Sequence, residues 1–168
     1  MPVAMYAAFG DAGTVSTLYF AAGVVSLLAG LLVPWGTRAL PRRWMFTAGV
    51  TMFLLAAAAA VAGGRLTAVA VLLNMVGTVT VFVCLNAYVL DSIPRTELPR
   101  SESLRLSYTA LAWTAGPVTG VVLYEAWPPA PFLVATVAAL LLLAAFWSLR
   151  LGNGRLIVRA RGPAPNPL

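Results

Sequence analysis

The stretch that decides the fold is Leu66-Thr-Ala-Val-Ala-Val-Leu-Leu-Asn74-Met-Val-Gly-Thr78-Val-Thr80-Val-Phe-Val-Cys84-Leu-Asn86-Ala-Tyr88-Val-Leu90, which carries no charge from end to end. A helix needs about 20 apolar residues to cross the hydrocarbon core of a bilayer, and this run is long enough. Barrel strands would instead alternate apolar and polar residues over about 10 positions. Four similar runs flank it, roughly Thr14–Pro34, Trp44–Ala62, Leu106–Glu125 and Ala130–Leu149, and none holds Asp, Glu or Arg away from its ends. The expected fold is all-α: a polytopic bundle of about five spanning helices over residues 1–151, then a cytoplasmic tail or linker over 152–168.

Composition points the same way. Of the 168 residues, 61% are hydrophobic and 10% charged, against about 25% charged in a soluble domain. Water could not cover so much apolar surface, so lipid must be the solvent. The breaks between runs are marked by Pro34, Gly36 and Pro41, by Gly63 and Gly64, by Pro94 and Pro99, and by Trp127, Pro128, Pro129 and Pro131. Trp35, Trp44, Trp127 and Trp147 fall near helix ends, where interfacial tryptophans gather.

All 11 basic residues are arginine. Arg38, Arg42, Arg43, Arg95, Arg100, Arg105, Arg150, Arg155, Arg159 and Arg161 fall on one side of the predicted bundle, and Arg65 alone on the other. Excess positive charge in short loops marks the cytoplasmic side. The expected placement is multi-pass in the cell's inner (plasma) membrane, with the C-terminus cytoplasmic and the N-terminus outside. Arginines confined to loops between apolar runs argue for topology and against a nucleic-acid partner. Residues 1–13 lack the positive n-region of a signal peptide. Met1–Phe9 is apolar and too short to span, and reads as the last turns of a helix whose beginning is absent.

The residues exclude most catalysis. There is no His, which removes the usual general base and zinc ligand. Cys84 is the one cysteine and sits in an apolar run, so it reads as a small packing residue. The acids Asp11, Asp91, Glu97, Glu102 and Glu125 are scattered, with no mid-membrane pair. No phosphate-cradling Gly-rich loop ending in Lys occurs. No enzyme activity, metal or cofactor is expected.

Three stretches together resemble the major facilitator superfamily of secondary transporters, specifically an N-terminal six-helix half lacking its first helix. Pro34-Trp-Gly-Thr-Arg38-Ala-Leu-Pro-Arg42-Arg43 is similar to that family's loop between its second and third helices, with Thr37 at the acidic position, Val33 at the first glycine and Pro41 at the inner glycine. Ala112-x-x-x-Gly116-Pro117-x-x-Gly120 resembles the G-x-x-x-G-P-x-x-G motif of the fifth helix, common among exporters, with Ala112 for the leading glycine. Pro117 removes a backbone hydrogen bond and bends the helix, while the small residues let another helix approach. Asp91-Ser-Ile-Pro-Arg95-Thr-Glu97-Leu-Pro-Arg100-Ser-Glu102-Ser-Leu-Arg105 resembles the connection between the fourth and fifth helices, where ion pairs close the inner side. Ser101 or Ser103 in it also fits as a helix cap.

The resemblance implies gating and packing roles for Arg38, Arg42, Arg43, Asp91, Arg100, Ala112, Gly116, Pro117 and Gly120. It implies transport of a small molecule by alternating access, in the efflux direction, with a second copy or a separate transporter half as partner. The polar residues at bilayer depth that suit a substrate are Asn74, Thr78, Asn86, Tyr88 and Trp113, with Asn74, Thr78 and Tyr88 expected on one face. The same groups also suit plain interhelical hydrogen bonding, worth about 0.6 kcal/mol each on average. Proton coupling is left open, its carrier unassigned, because no carboxylate lies at mid-depth. The alternative is a structural or regulatory membrane subunit, or an inactive transporter fragment.

Overall fold

The structure, a computed structural model, describes residues 2–94 and 96–152, without the side chains of residues 91, 92 and 149–152. Arg95 and the expected tail, with Arg155, Arg159 and Arg161, lie outside the described residues, as do the side chains of Asp91 and Arg150. The described chain is six helices: α1 Pro2–Phe9, α2 Ala12–Ala39, α3 Arg42–Ala62, α4 Leu66–Ser92, α5 Leu98–Ala126 and α6 Ala130–Gly152. The last five are long and apolar enough to cross a membrane. The chain is a multi-pass membrane protein, and helices follow because a backbone in lipid must satisfy its own hydrogen bonds.

Two prolines act differently from the sequence expectation. Pro34 lies inside α2, which runs on to Ala39 and closes with the Leu40 N–H donated to the Gly36 carbonyl. Thr37 Oγ1 donates to the Pro34 carbonyl at 2.8 Å in this last part of the helix. At the other loop, α5 starts at Leu98, ahead of the expected Leu106, with Pro99 in its first turn. Proline is tolerated there because the first N–H groups of a helix have no intrahelical partner anyway. Ser101 and Ser103 are therefore inside the helix and not caps: the Ser101 N–H donates to the Glu97 carbonyl, and the Ser103 carbonyl accepts from Ser107 Oγ.

The core is the α3–α4 pair. Gly49 on α3 and Gly77 on α4 face each other so closely that a Cβ at Gly77 would lie 2.9 Å from the Gly49 carbonyl oxygen and 3.1 Å from Met52 Cβ. A Cβ at Gly49 would lie 2.8 Å from Val81 Cγ2 and 3.2 Å from the Val81 nitrogen. The turn between them, Gly63 and Gly64, has φ of 71° and 58°, a region that glycine enters without the Cβ clash. α2 joins the other flank of α4, where Ser26 Oγ donates to the Met75 carbonyl at 3.2 Å and Gly30 receives Val79. α6 joins α3 through Phe46 and Phe146, stacked with centroids 4.1 Å apart, and through Trp44 and Trp147 at 5.8 Å.

α5 has no buried residue and packs chiefly along α6. Many of its hydroxyls are satisfied within the helix: Thr109, Thr114 and Thr119 donate to carbonyls four residues back. α1 packs on α2 and α4 through Met5, which is fully buried with Ala22 and Val71. Asp11 caps α2, its carboxylate accepting from the Thr14 N–H and Oγ1, both at 2.7 Å, and from the Gly13 N–H at 3.3 Å.

Two predictions follow from this packing. Gly77→Ala should lower unfolding stability in mild detergent by about 1–3 kcal/mol, the usual cost of overpacking. Gly116→Ala should not lower it, since nothing among the described residues lies within 4 Å of a Cβ there. Thermal or denaturant unfolding of the two variants decides this. The second concerns Asp11, whose carboxyl is held below the ordinary carboxylate range by the Thr14 hydroxyl first, then by the Thr14 and Gly13 amides. A lowered folded-state pKa means the cap contributes fully above the ordinary range and is lost as pH falls through the lowered value. Asn caps a helix about as well as Asp and does not titrate. Asp11→Asn should therefore hold its neutral-pH melting midpoint and lose this part of the acid destabilisation.

Candidate functional site

Asn74, Thr78, Phe82 and Asn86 recur every four residues and so form a stripe along α4. The opposite sides of α4 are taken by α2 and α3. Thr78 and Phe82 stay exposed, Phe82 by 55%, and Asn74 and Asn86 are half-buried. The Thr78 hydroxyl donates to the Asn74 carbonyl at 2.7 Å, which uses its proton and leaves its oxygen able to accept. Tyr88 leaves this stripe. Its ring meets Phe146 of α6 edge-on at 5.5 Å, so Asn74 and Thr78 share a face with Phe82 and Asn86, and Tyr88 turns toward α6.

α5 meets the stripe at Asn86 and Phe82, through Arg105. Ala112, Gly116 and Gly120 fall on one side of α5, and Arg105 is on the same side two turns earlier. Arg105 Nη1 donates to Asn86 Oδ1, its guanidinium carbon lies 5.6 Å from the centre of the Phe82 ring, and Nη2 pairs with Glu102 at 2.9 Å. This cluster ties α4 to α5 at the end that carries the arginines. At the other end α5 meets the bundle through Tyr124, which packs on the cluster of Ala57, Ala60, Ala70 and Phe132. Between the two ties, Gly116, Pro117 and Gly120 line a cavity of about 270 Å³ with Pro2, Val3 and Ala4 of α1 across from them. A second cavity of about 220 Å³ opens beyond it among Ala7, Ala8, Gly63, Gly64, Thr67 and Pro128. The small-residue face of α5 thus looks at α1, and no helix seats against Gly116 or Gly120 among the described residues.

The other expected residues are placed more simply. Trp113 is 80% exposed on α5. Arg38 is exposed at the end of α2, its guanidinium 5.5 Å from the Trp35 ring. Arg42 and Arg43 open α3, and Arg100 lies in the first turn of α5, all exposed. The backbone of Asp91 belongs to α4, and its expected pairing involves a side chain outside the described residues. Among the described residues, no group of three or more metal-ligating side chains forms.

Residues 1–167 match the family model described as Major Facilitator Superfamily. The chain belongs to the major facilitator superfamily. Members of this superfamily are membrane transporters and not enzymes. No curated protein and no solved structure matches the chain.

The sequence placed Arg105 in the charged connection whose ion pairs would close the inner side, but neither paired it with Asn86 nor singled out Phe82. The signal was present: Arg105 is the last charge before the apolar run that begins at Leu106. If it ties α5 to α4, Arg105→Ala should free the first half of α5. A charge-assisted contact of this partly exposed kind is worth about 1–2 kcal/mol, so amide exchange over residues 98–112 should speed up roughly 5–30-fold. Exchange in α3 should stay unchanged.

Proposed function

We propose that this major facilitator superfamily protein is a secondary active transporter, half-size or partial, that moves a small molecule by alternating access in the efflux direction. The observation that carries the reading is the unpartnered face of α5. Its glycines have nothing within 4 Å among the described residues and border a cavity of about 270 Å³ with α1, while α4 keeps a separate stripe of Asn74, Thr78 and Asn86 away from α2 and α3. Transporter sites form near mid-membrane between helices, where a few polar groups meet an apolar wall. A second copy, or a separate transporter half, would cover these faces and close a cavity. Asn74, Thr78 and Asn86 would supply hydrogen bonds there, and Trp113 an apolar wall. The end carrying Arg38, Arg42, Arg43, Arg100 and Arg105 would face the cytoplasm, by the positive-inside rule. In this reading Asp91 and Arg100 sit at the gate, and a proton carrier, where coupling exists, is Asp91, Glu125 or a residue outside this chain.

A second reading, a non-transporting structural or regulatory subunit, is favoured by Thr37. It stands at the acidic position of the first motif, and its hydroxyl is engaged on its own helix by the Pro34 carbonyl. Efflux of a panel of amphipathic fluorophores from inside-out vesicles separates the two. The transporter reading expects energised movement above vesicles without the chain, reduced at least about tenfold in an Asn74→Ala/Thr78→Ala double variant, or about 1.4 kcal/mol of lost stabilisation. Equal traces with and without the chain would leave the subunit reading. In active vesicles, loss of pH dependence in Asp91→Asn or Glu125→Gln would identify the carrier, and normal pH dependence in both would remove them.

A further inference from the structure

We infer that the cavity of about 220 Å³ beside the Gly63–Gly64 turn is a binding site for a neutral one-ring phenol or alcohol, held by the Thr67 hydroxyl. Thr67 lines this cavity and is 1% exposed, and its hydroxyl makes no hydrogen bond among the described residues. Further along α4, Thr78 and Thr80 give their protons to the carbonyls four residues back. Thr67 has no such carbonyl. α4 begins at Leu66, so the residue four back is Gly63, outside the helix and at a φ of 71°. Buried hydroxyls nearly always have a partner, so an unpaired one on a cavity wall marks what the cavity should hold. Tyr124 lines the same cavity half-buried, and its hydroxyl is also without a partner among the described residues. A ligand hydroxyl can donate to one of these oxygens and accept from the other.

The rest of the wall sets the ligand's charge and size. No charged side chain lines the cavity; Arg65 and Glu125, next in sequence to Gly64 and Tyr124, stay off it. The amides at the start of α4 are also taken, since the Thr67 N–H donates to the Gly64 carbonyl and the Ala68 N–H to the Arg65 carbonyl. An anion would therefore lose its hydration without a compensating partner. The adjoining cavity of about 270 Å³ shares Ala4, Tyr124 and Phe132 and adds no further polar side chain, so a polyol finds no second set of partners. An apolar cavity of about 150 Å³ accommodates benzene, and the space here is larger by enough for a ring with a small substituent. The site lies at the opposite end of α4 from Asn86, and it stands whether or not the chain transports.

The test uses the whole chain in phosphatidylcholine nanodiscs, with para-trifluoromethylphenol as probe and fluorine NMR as readout. Trifluoromethylbenzene and para-trifluoromethylbenzoate are the controls, in mildly acidic buffer where the phenol is neutral and the benzoate charged. Signal from protein-free discs is subtracted. The phenol should bind saturably and at least about tenfold tighter than either control. Thr67→Val, which keeps the shape and removes the hydroxyl, should weaken the phenol at least about threefold and leave trifluoromethylbenzene unchanged. Thr67→Ser should restore it, and Tyr124→Phe should weaken it in the same selective way. Ala8 is exposed on the cavity wall, so Ala8→Phe should fill the space and abolish binding. Phenol binding that ignores Thr67→Val would mean that water answers the hydroxyl, and overturns the inference. So does equal binding of phenol and trifluoromethylbenzene, as expected of a space filled by lipid chains, or full binding in Ala8→Phe. Circular dichroism and size exclusion confirm folding, and Ala8→Phe and Tyr124→Phe keep the test open should Thr67→Val misfold. Phenol binding without efflux in vesicles strikes the transporter reading alone, and efflux without phenol binding strikes this inference alone.

Discussion

The backbones of α3 and α4 touch at Gly49 and Gly77, and the rest of the bundle is arranged around that contact. In lipid there is no hydrophobic force between helices, because acyl chains are as apolar as the side chains they would replace. Close van der Waals packing has to supply the attraction, and two facing glycines allow the closest approach. With α3 and α4 fixed, α2 takes one side of α4 through Ser26 and Gly30, and α6 takes α3 through Phe46 and Phe146. One side of α4 is left over. It is the side that carries Thr78, Phe82 and Asn86.

α5 reaches that side at Phe82 and Asn86, through Arg105. Its two attachments have different chemistry. At one end Tyr124 joins an apolar cluster, and at the other Arg105 reaches across to an amide and an aromatic ring. An apolar contact is indifferent to ions, whereas an exposed charge cluster responds to them. α5 is therefore held by one attachment that salt leaves unchanged and one that salt weakens.

Much of the fold was legible in the sequence, because uncharged runs as long as Leu66–Leu90 have few stable forms outside a membrane helix. Helix ends were less legible. Pro34 and Pro99 look alike as breakers, yet one is carried within the last turns of α2 and the other opens α5. What decides is whether the missing N–H would have had a helical partner, and that depends on where the helix starts. The polar stripe was half legible. Asn74 and Thr78 follow from four-residue spacing, but Tyr88 is drawn to Phe146, and no spacing on α4 reveals where α6 lies. Arg105 was legible as part of the charged connection before α5, but its reach to Asn86 and Phe82 was not, because no spacing on α5 reveals how that helix lies against α4.

Water accessibility along α4 tests the central claim, that the Thr78–Phe82 side of this helix faces a solvated path and not lipid. Nitroxide labels at residues 78 and 82, in a Cys84→Ser background in bilayers, are compared with labels at Phe20 and Leu27, which are 74% and 65% exposed on α2. The account predicts that 78 and 82 relax faster with a water-soluble nickel complex than with oxygen, and that 20 and 27 do the reverse. Preferential relaxation by oxygen at all four positions would contradict it.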